Sequence, residues 1–590
     1  MIRKLIRQML TAQVFAALTV SSCLLIDNIM TGRFLGVEAL AAYQYSSPVL
    51  MVVGSFGALM TAGVQVTCSQ SLGQGDQEET NRGYSSAVVL GLSVAAALVL
   101  LVVLLRSPLA AAMGAARNED VFVMTKDYML GFVLGAPGSI GALLLVPFMQ
   151  MAGQTTLVII AVLGMTVADI GLDLLNVHVL HWGMYGMGLA SSLSYYLAVL
   201  IGSFYFFSKK SVFRFSFRQA QWKKMLEIMK NGVPTIIAMV APILLVFLMN
   251  QVFQGVGGEP VVAAFSVMSS IGSASSCINT GIGGVTLTLA GIFYQEEDRT
   301  ALKELVRTMM RYSIWLGLAV GGLLWILAPT LVPLFIPEAG TAQETAILGV
   351  RLYGAGLIPA CMMGCLKNLY QSCGQVRLME GISVVEGMVL PFIAGLLMSL
   401  VLKTTGALLY FAIGECLAVL AMGWWIRKKS GKLPWQDGAY LLLQRDWGVT
   451  EENLREWNIR TVEEVARAAE EANAFCLARG QSPRAANRMA VCIEEMASNT
   501  VTHGFAKEKK EHHLSVRLLN KEDRWVLRFR DDCRAFDPVH YVPGADQEKT
   551  LGLRLVMGLA DEIRYTYSLN LNNLTLIFGN RGKALEEKQK

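Results

Sequence analysis

The segment SSAVVLGLSVAAALVLLVVLL, from Ser85 to Leu105, carries no charged side chain, and neither does MVLPFIAGLLMSLVL, from Met388 to Leu402. Runs of this kind are too apolar for a water-exposed surface and match the length a helix needs to cross a bilayer. Roughly twelve such spans can be counted, each near the ~20 residues of a crossing, beginning at about residues 11, 45, 85, 127, 155, 184, 230, 262, 311, 345, 376 and 405. They override the several soluble domains that a length of 590 residues would otherwise suggest. Composition agrees: 54% of residues are hydrophobic and 16% charged, with a mean hydropathy of +0.46.

The basic opening MIRKLIRQML runs into a stretch with Asp27 and no small-residue cleavage site, so it reads as a retained first helix rather than a signal peptide. Positive charge gathers at Lys209, Lys210, Arg214, Arg218, Lys223, Lys224 and Lys230 between the sixth and seventh spans, and at Arg427, Lys428 and Lys429 after the last. By the positive-inside rule both termini lie in the cytoplasm of a multi-pass protein of the plasma (inner) membrane. The lipid bilayer is the expected surrounding, and no nucleic-acid partner is expected. Ten cysteines occur without a C-x-x-C pair, which speaks against a disulfide framework or a zinc site.

The apolar part repeats itself. FMQMAGQTTL at Phe148–Leu157 echoes LYQSCGQVRL at Leu369–Leu378, sharing Q-x-x-G-Q; LAVL at Leu197–Leu200 returns at Leu417–Leu420; and the surroundings of Asp27 parallel those of Asn250. The three islands keep one order and an offset of about 220 residues. Six spans per half is an even number, so both halves enter the membrane with the same orientation, as in parallel-repeat transporters. The expected fold is a membrane all-α protein of twelve helices in two six-helix lobes, residues 1–220 and 221–430, followed by a linker over 431–459 and a cytoplasmic α+β domain over 460–590.

On DNIMTGRFLGVEALAAY, SQSLGQGDQEET and the duplicated Q-x-x-G-Q, residues 10 to 430 resemble the multidrug and toxic compound extrusion (MATE) transporters. The resemblance implies antiport of an organic cation, drug or metabolite against Na⁺ or H⁺. Ionisable groups at bilayer depth are costly and ask for a reason. Asp169 and Asp173 stand four apart on one helix face; with Asp27 opposite, three carboxylates would share a pocket in which all three cannot ionise. By the resemblance Asp27 and Asp173 match family aspartates and Ser191 a small hydroxyl, while Asp169 replaces a usual asparagine and leaves the ion open between Na⁺ and H⁺. In the second half Asn250 takes the place of Asp27, and Glu386 and Glu415 are candidates for a substrate cavity.

After Lys432 charge becomes dense and the periodicity changes. TVEEVARAAEEANAFCLAR reads as a helix capped by Thr461, a second helix runs from about Ser482 to His503, and HLSVRLL-NKED-RWVLRFR alternates as a hairpin. LGLRLVMGLADE is helical, and IRYTYSL and LTLIF are strands, giving helices on one face of an antiparallel sheet. CIEEMASNTVTHGF places Glu495, Asn499 and His503 four apart on one helix face; RDDCRAFDP brings Asp531 and Asp532 to a strand end; TLGLRLV sets Gly552 at a helix start, where backbone N–H groups hold phosphate. Residues 460 to 580 resemble the GHKL ATP-binding fold, in the branch of anti-sigma-factor serine kinases. That implies ATP and Mg²⁺, with Glu495 as general base, Asn499 as Mg²⁺ ligand and Asp531 as the adenine-binding aspartate. Cys533 and Thr550 stand where the family has glycines.

The combined expectation is a secondary antiporter whose cytoplasmic ATP-binding domain regulates it or phosphorylates a protein partner as a serine/threonine kinase. The alternative is a membrane receptor-kinase in which the MATE-like part senses a ligand and the tail signals. A pump driven by ATP is disfavoured, since no G-x-x-x-x-G-K-[ST] loop is present.

Overall fold

The computed structural model describes residues 2–35, 37–113, 115–117, 119–206, 211–336, 340–443, 447–449, 451–505, 512–521, 523–539 and 551–579. The first lobe contains α1 (Ile2–Met30), α2 (Val37–Gln74), α3 (Gln77–Ala112), the bent pair α4 (Glu119–Val133) and α5 (Ala136–Met151), α6 (Thr155–Leu175) and α7 (Gly183–Phe206). The second contains α8 (Trp222–Ser275), broken at Gly258, then α9 (Cys277–Gln295), α10 (Arg299–Leu331), α11 (Thr341–Ser372), α12 (Val376–Val384), α13 (Leu390–Leu408) and α14 (Tyr410–Ser430). Among the described residues nine helical segments are long and apolar enough to cross a membrane, and α4–α5, bent by 46°, makes a tenth. The two outermost helices are not among those ten. α1 includes residues outside the described side chains, and α14 is diluted by Glu415, Trp424 and Trp425.

The sequence repeat is a repeat of turns. Each Q-x-x-G-Q ends a helix, α5 or α11, with its glycine in the left-handed region, at φ +76° for both Gly153 and Gly374. The two close with the same bonds: Gln154 N–H to Met149 O and Gln375 N–H to Tyr370 O, both 2.8 Å. Glycine is favoured at such a helix end because no Cβ meets the backbone. Two further loops correspond. Asp76 caps α3 by accepting the Glu79 N–H (2.9 Å), and Asp298 caps α10 by accepting that of Ala301 (2.8 Å). The preceding residue is left-handed in both, Gly75 at φ +73° and Glu297 at +55°. All four turns lie at one end of the bundle, where the lobes also touch. Gln74 donates to Gln295 (2.9 Å), Gln70 to the Ser372 carbonyl (3.1 Å) and Asn231 to Thr67 (3.1 Å).

The C-terminal unit is one antiparallel sheet, β1 (Leu454–Ile459), β2 (Leu514–Asn520), β3 (Arg524–Asp531), β4 (Glu562–Ser568) and β5 (Leu571–Gly579), in the order β1-β2-β3-β5-β4. The expected hairpin and both later strands are present, and the sheet begins earlier than expected: β1 occupies the last six residues assigned to the linker, paired along its length with β2. Helices α15 (Val462–Ala478), α16 (Pro483–Asn499) and α17 (Leu551–Leu559) cover one face, packing Val465, Met489, Ile493 and Val556 on Val516, Leu527, Phe529 and Leu576. Thr461 and Glu464 form a capping box on α15, and Ser482 with Pro483 starts α16.

The other sheet face docks on the helical bundle. Arg530 pairs with Glu296 and Arg517 with Asp298, all four at most 9% exposed, and Lys521 meets Glu297 at 2.9 Å. On the first lobe the Arg564 Nη1 donates to Gln74 O (2.9 Å), the Leu569 N–H to Met151 O (2.8 Å) and the Asn570 Nδ2 to Gly153 O (2.8 Å). Leu569 and Leu571 join the apolar cluster that holds Ile6 of α1 and Phe293 of α9. The linker is packed too: Trp447 stacks on Tyr294 with centroids 5.1 Å apart, and the Tyr370 hydroxyl donates to Tyr440 O (2.8 Å).

Two outcomes are expected. A Cβ on Gly153 would meet Asn570 atoms within 2.7 Å, whereas one on Gly374 meets nothing within 4 Å. Ala at either costs about 1–2 kcal/mol of left-handed strain, but only Gly153→Ala should also speed hydrogen exchange of the Leu569–Asn570 turn. The second concerns pH. Burial raises the Glu296 carboxyl, yet Arg530 and Arg528 outweigh it and hold the group below its usual 4.5. A depressed carboxylate contributes stability above its unfolded pKa and loses it as pH falls through the folded one. Acidification below 4.5 should therefore loosen the docked sheet, read by the same exchange measurement.

Candidate functional sites

The expected aspartates come together. Asp27 of α1 and Asp169 and Asp173 of α6 are 7%, 3% and 0% exposed, which decides that water does not solvate them. Asp27 lies within electrostatic reach of both others, and Ser191 and Ser194 of α7 lie beside Asp169. Among the described residues, the Oδ1 atoms of all three and the Oδ2 of Asp173 have no donor. Carboxylates in mutual contact require a shared proton or a cation, because charges this close cannot all be carried in a low-dielectric interior. Tyr128 of α4 sits in the field of all three, its ring 5.2 Å from that of Tyr43 and tilted to it by 59°.

The second lobe holds a different buried centre. Glu386 and Glu415 are 3% and 5% exposed, and the Lys367 Nζ of α11 lies 2.6 Å from Glu386 Oε2. Glu415 lies in the field of both, so the triad carries two carboxylates for one ammonium. Lys367 escaped the sequence reading, although a lone lysine inside an apolar span carries the same signal as a lone aspartate.

In the C-terminal unit, Glu495 and Asn499 share one face of α16. Gly552, at the start of α17, faces Glu495 so closely that a Cβ there would collide with its carboxylate. Asp531 is buried at the end of β3, accepting from Asn572 Nδ2 (2.8 Å) and the Cys533 N–H (3.0 Å). Burial raises its carboxyl and the Asn572 bond opposes that rise. Asn572, missed in the sequence, also accepts from the Tyr565 hydroxyl (2.7 Å) and the Phe536 N–H (3.1 Å). Cys533 in place of glycine is accommodated opposite a glycine: a Cβ on Gly504 would lie 3.0 Å from its Sγ. Thr550 falls outside the described residues. His503 leaves the stripe, because α16 passes at Thr500 into a π-helical turn that rotates everything after Asn499.

That turn is one of four π-helical turns among the described residues: Thr31–Leu35, Asn176–Leu180, Val385–Val389 and Thr500–Gly504. They follow Asp27, Asp173 and Asn499 within four residues or contain Glu386. An extra residue per turn re-aims side chains at a cost in helix geometry, and such turns recur at functional sites.

A multi-pass helical bundle of two lobes with buried carboxylates, joined to a helix-backed antiparallel sheet, is a transporter-type membrane fold carrying a nucleotide-binding type of domain. The comparisons make both halves specific. The MatE family profile matches residues 13–175, and the histidine kinase-like ATPase domain profile matches residues 460–578. The fold is that of the MATE transporters. An outward-facing multidrug resistance MATE family transporter of the MOP superfamily superposes with a TM-score of 0.65 at 19% identity, covering 71% of this chain and 94% of that one. The Vibrio cholerae MATE transporter VcmN gives 0.65 at 18%, covering 71% and 95%, and a MOP superfamily transporter from Pyrococcus furiosus gives 0.64 at 19%, covering 71% and 94%. An FAD transporter of Shewanella oneidensis is 31% identical over 103 residues, which are 18% of this chain and 22% of that protein's own length.

Removing Lys367 tests the second-lobe triad. Lys367→Met leaves a buried carboxylate unpaired and should cost about 3–5 kcal/mol. Lys367→Met with Glu386→Gln should recover most of that loss. Thermal unfolding of the purified protein in detergent reads both.

Proposed function

We propose that the chain is a secondary antiporter that exports an organic cation, drug or metabolite against H⁺ or Na⁺, and whose C-terminal domain binds ATP with Mg²⁺ and regulates it. The observation that carries the transport reading is the aspartate cluster of the first lobe, whose donor-less oxygens ask for a proton or a cation. Asp27, Asp169 and Asp173, with Ser191 beside them, would take up protons from one side and release them when the lobes rearrange. Glu386 and Glu415 are the weaker candidates for contact with the cargo. The domain limits that go with this reading are lobes at 1–220 and 221–430 and a linker from 431.

The residues of the C-terminal unit fit a nucleotide. Gly552, lacking a Cβ, lets the start of α17 approach the Glu495 carboxylate closely, and backbone N–H groups at such a helix start suit phosphate. Asn499 would hold Mg²⁺, which neutralises phosphate charge when bound, and Asp531, fixed by Asn572, would accept from the adenine amino group. Glu495 would serve as a general base, but docking of the sheet on the bundle supports regulation of the transporter over phosphorylation of a separate partner. With ATP on this side, the docked end of the bundle faces the cytoplasm of the plasma (inner) membrane, with both termini there.

Proteoliposomes under imposed H⁺ or Na⁺ gradients test the reading, with ethidium and FAD as probes of opposite charge. A H⁺ gradient should drive flux that Asp27→Asn lowers at least about tenfold. Drive by Na⁺ alone would reassign the ion, and unchanged flux in Asp27→Asn would sink the site. Separately, the purified full chain should bind ATP in a Mg²⁺-dependent manner, and Asn499→Ala should lose that dependence.

A further inference from the structure

Neighbouring residues on a strand point to opposite faces of a sheet. In β3 this puts Asp531 on the helix-covered face and Arg530 on the docked face. Their cross-strand partners in β5 repeat the division, since Asp531 pairs with Asn572 and Arg530 with Asn573. On one face Asn572 donates to Asp531 (2.8 Å), within the nucleotide site proposed above. On the other, the Arg530 Nε donates to Asn573 Oδ1 (2.7 Å), and its guanidinium closes on Glu296 while lying over the Phe293 ring. One peptide unit on each strand separates the two networks.

The docked face spans both lobes at corresponding turns. In the second lobe, Glu296, Glu297 and Asp298 are gripped by Arg530, Lys521 and Arg517, and Arg528 donates to Glu296 O (3.3 Å). In the first, Arg564, Leu569 and Asn570 bind carbonyls of Gln74, Met151 and Gly153. Between these grips the lobes meet at Gln74 and Gln295. Backbone strain collects here as well. Glu297 is left-handed where the first lobe has Gly75, and Leu569 and Asn570, at φ +58° and +59°, put a bulky Leu into the left-handed turn of the β4–β5 hairpin. Residues keep such conformations only where their surroundings over-determine them.

We propose that the outer face of the sheet is a clasp that holds the two lobes together at this end. Strands β3 and β5 carry nucleotide occupancy at Asp531–Asn572 to the clasp at Arg530–Asn573. The ATPase domain thereby gates the separation of the lobes that alternating access requires. This deepens the regulatory reading and rests on nucleotide binding at Asp531. The clasp itself does not: separating the lobes here breaks the bonds across both, whatever fills the site.

The experiment uses the full chain, with two readouts. Hydrogen exchange follows the Leu569 amide, which donates to Met151 O of the first lobe. It should exchange at least about tenfold faster in Arg530→Gln and in Lys521→Gln than in the wild type, without nucleotide. In proteoliposomes, internal Mg²⁺–ATP should change wild-type flux at least about threefold, while Arg530→Gln binds ATP as before and transports at one rate with and without it. Glu297→Gly guards against a misfolding artefact, because glycine relieves the left-handed strain while removing the Lys521 partner, and it should weaken the ATP response in the same direction. An unaltered Leu569 amide in all three variants overturns the clasp. Flux that still responds to ATP in Arg530→Gln overturns the transmission. A wild type that transports but binds no ATP overturns the nucleotide reading and the transmission together, and leaves the exchange result to decide the clasp.

Discussion

A carboxylate withdrawn from water must be protonated, joined to a cation or gripped by hydrogen-bond donors, and this requirement organises the molecule. Three solutions appear along one chain. In the first lobe Asp27, Asp169 and Asp173 are buried together, and among the described residues the Oδ1 atom of each is left without a hydrogen-bond partner. In the second lobe Lys367 is built in as a permanent counter-ion to Glu386, which leaves Glu415 as the uncompensated charge. At the junction Glu296 is matched by two arginines of another domain, and a carboxylate that burial would neutralise stays ionised. The same residue type is thus a candidate carrier, a fixed pair and a docking contact, according to what surrounds it.

The lobes repeat in backbone and diverge in charge. Gly153 and Gly374 make the same turn, and Asp76 and Asp298 the same cap, yet the two ends receive different partners. The Gly153 turn takes the β4–β5 hairpin at its carbonyl. The Gly374 turn is covered by the linker, where Gln375 donates to Leu442 O at 3.0 Å. Duplication supplies two equivalent landing places, and a single C-terminal domain can occupy only an asymmetric pair of them. Glu297 in place of Gly75 marks that asymmetry: the second lobe accepts a strained residue and gains a carboxylate aimed at Lys521.

Much of this was legible in the sequence, for reasons that differ by element. The spans, the repeat and the helix-backed sheet follow from periodicity and from glycines that only certain turns require. The three aspartates stood out because charge in an apolar run has no bland background to hide in. Lys367 obeys the same logic but was overlooked beside the acidic residues. β1 was assigned to the linker because LREWNI is short and charged, as an edge strand that meets solvent should be. Asn572 and the pairing of Cys533 with Gly504 could not be read locally, since each depends on a contact across the sheet or between a loop and a helix end. The docked face was hidden for a related reason. Arg517, Arg528 and Arg530 look like the ordinary solvated side of an alternating strand until their acidic partners, more than two hundred residues away, are placed opposite them.

That last point bears on why the domain is attached at all. A sheet with helices on one face would normally leave its other face to water, and polar alternation would suffice to keep it soluble. Here two of the outward arginines, Arg517 and Arg530, are buried along with the apolar core behind them. Burying guanidinium groups is expensive unless every one is answered, and burial with the neighbouring Arg530 pushes Arg517 down to about 9 even beside its acidic partners. A mere tether would not call for so demanding an interface. Arg517 keeps Glu456 of its own sheet as a second partner, whereas Arg528 and Arg530 meet their carboxylate, Glu296, across the interface, so docking and release differ by a definite set of bonds, as a switch requires.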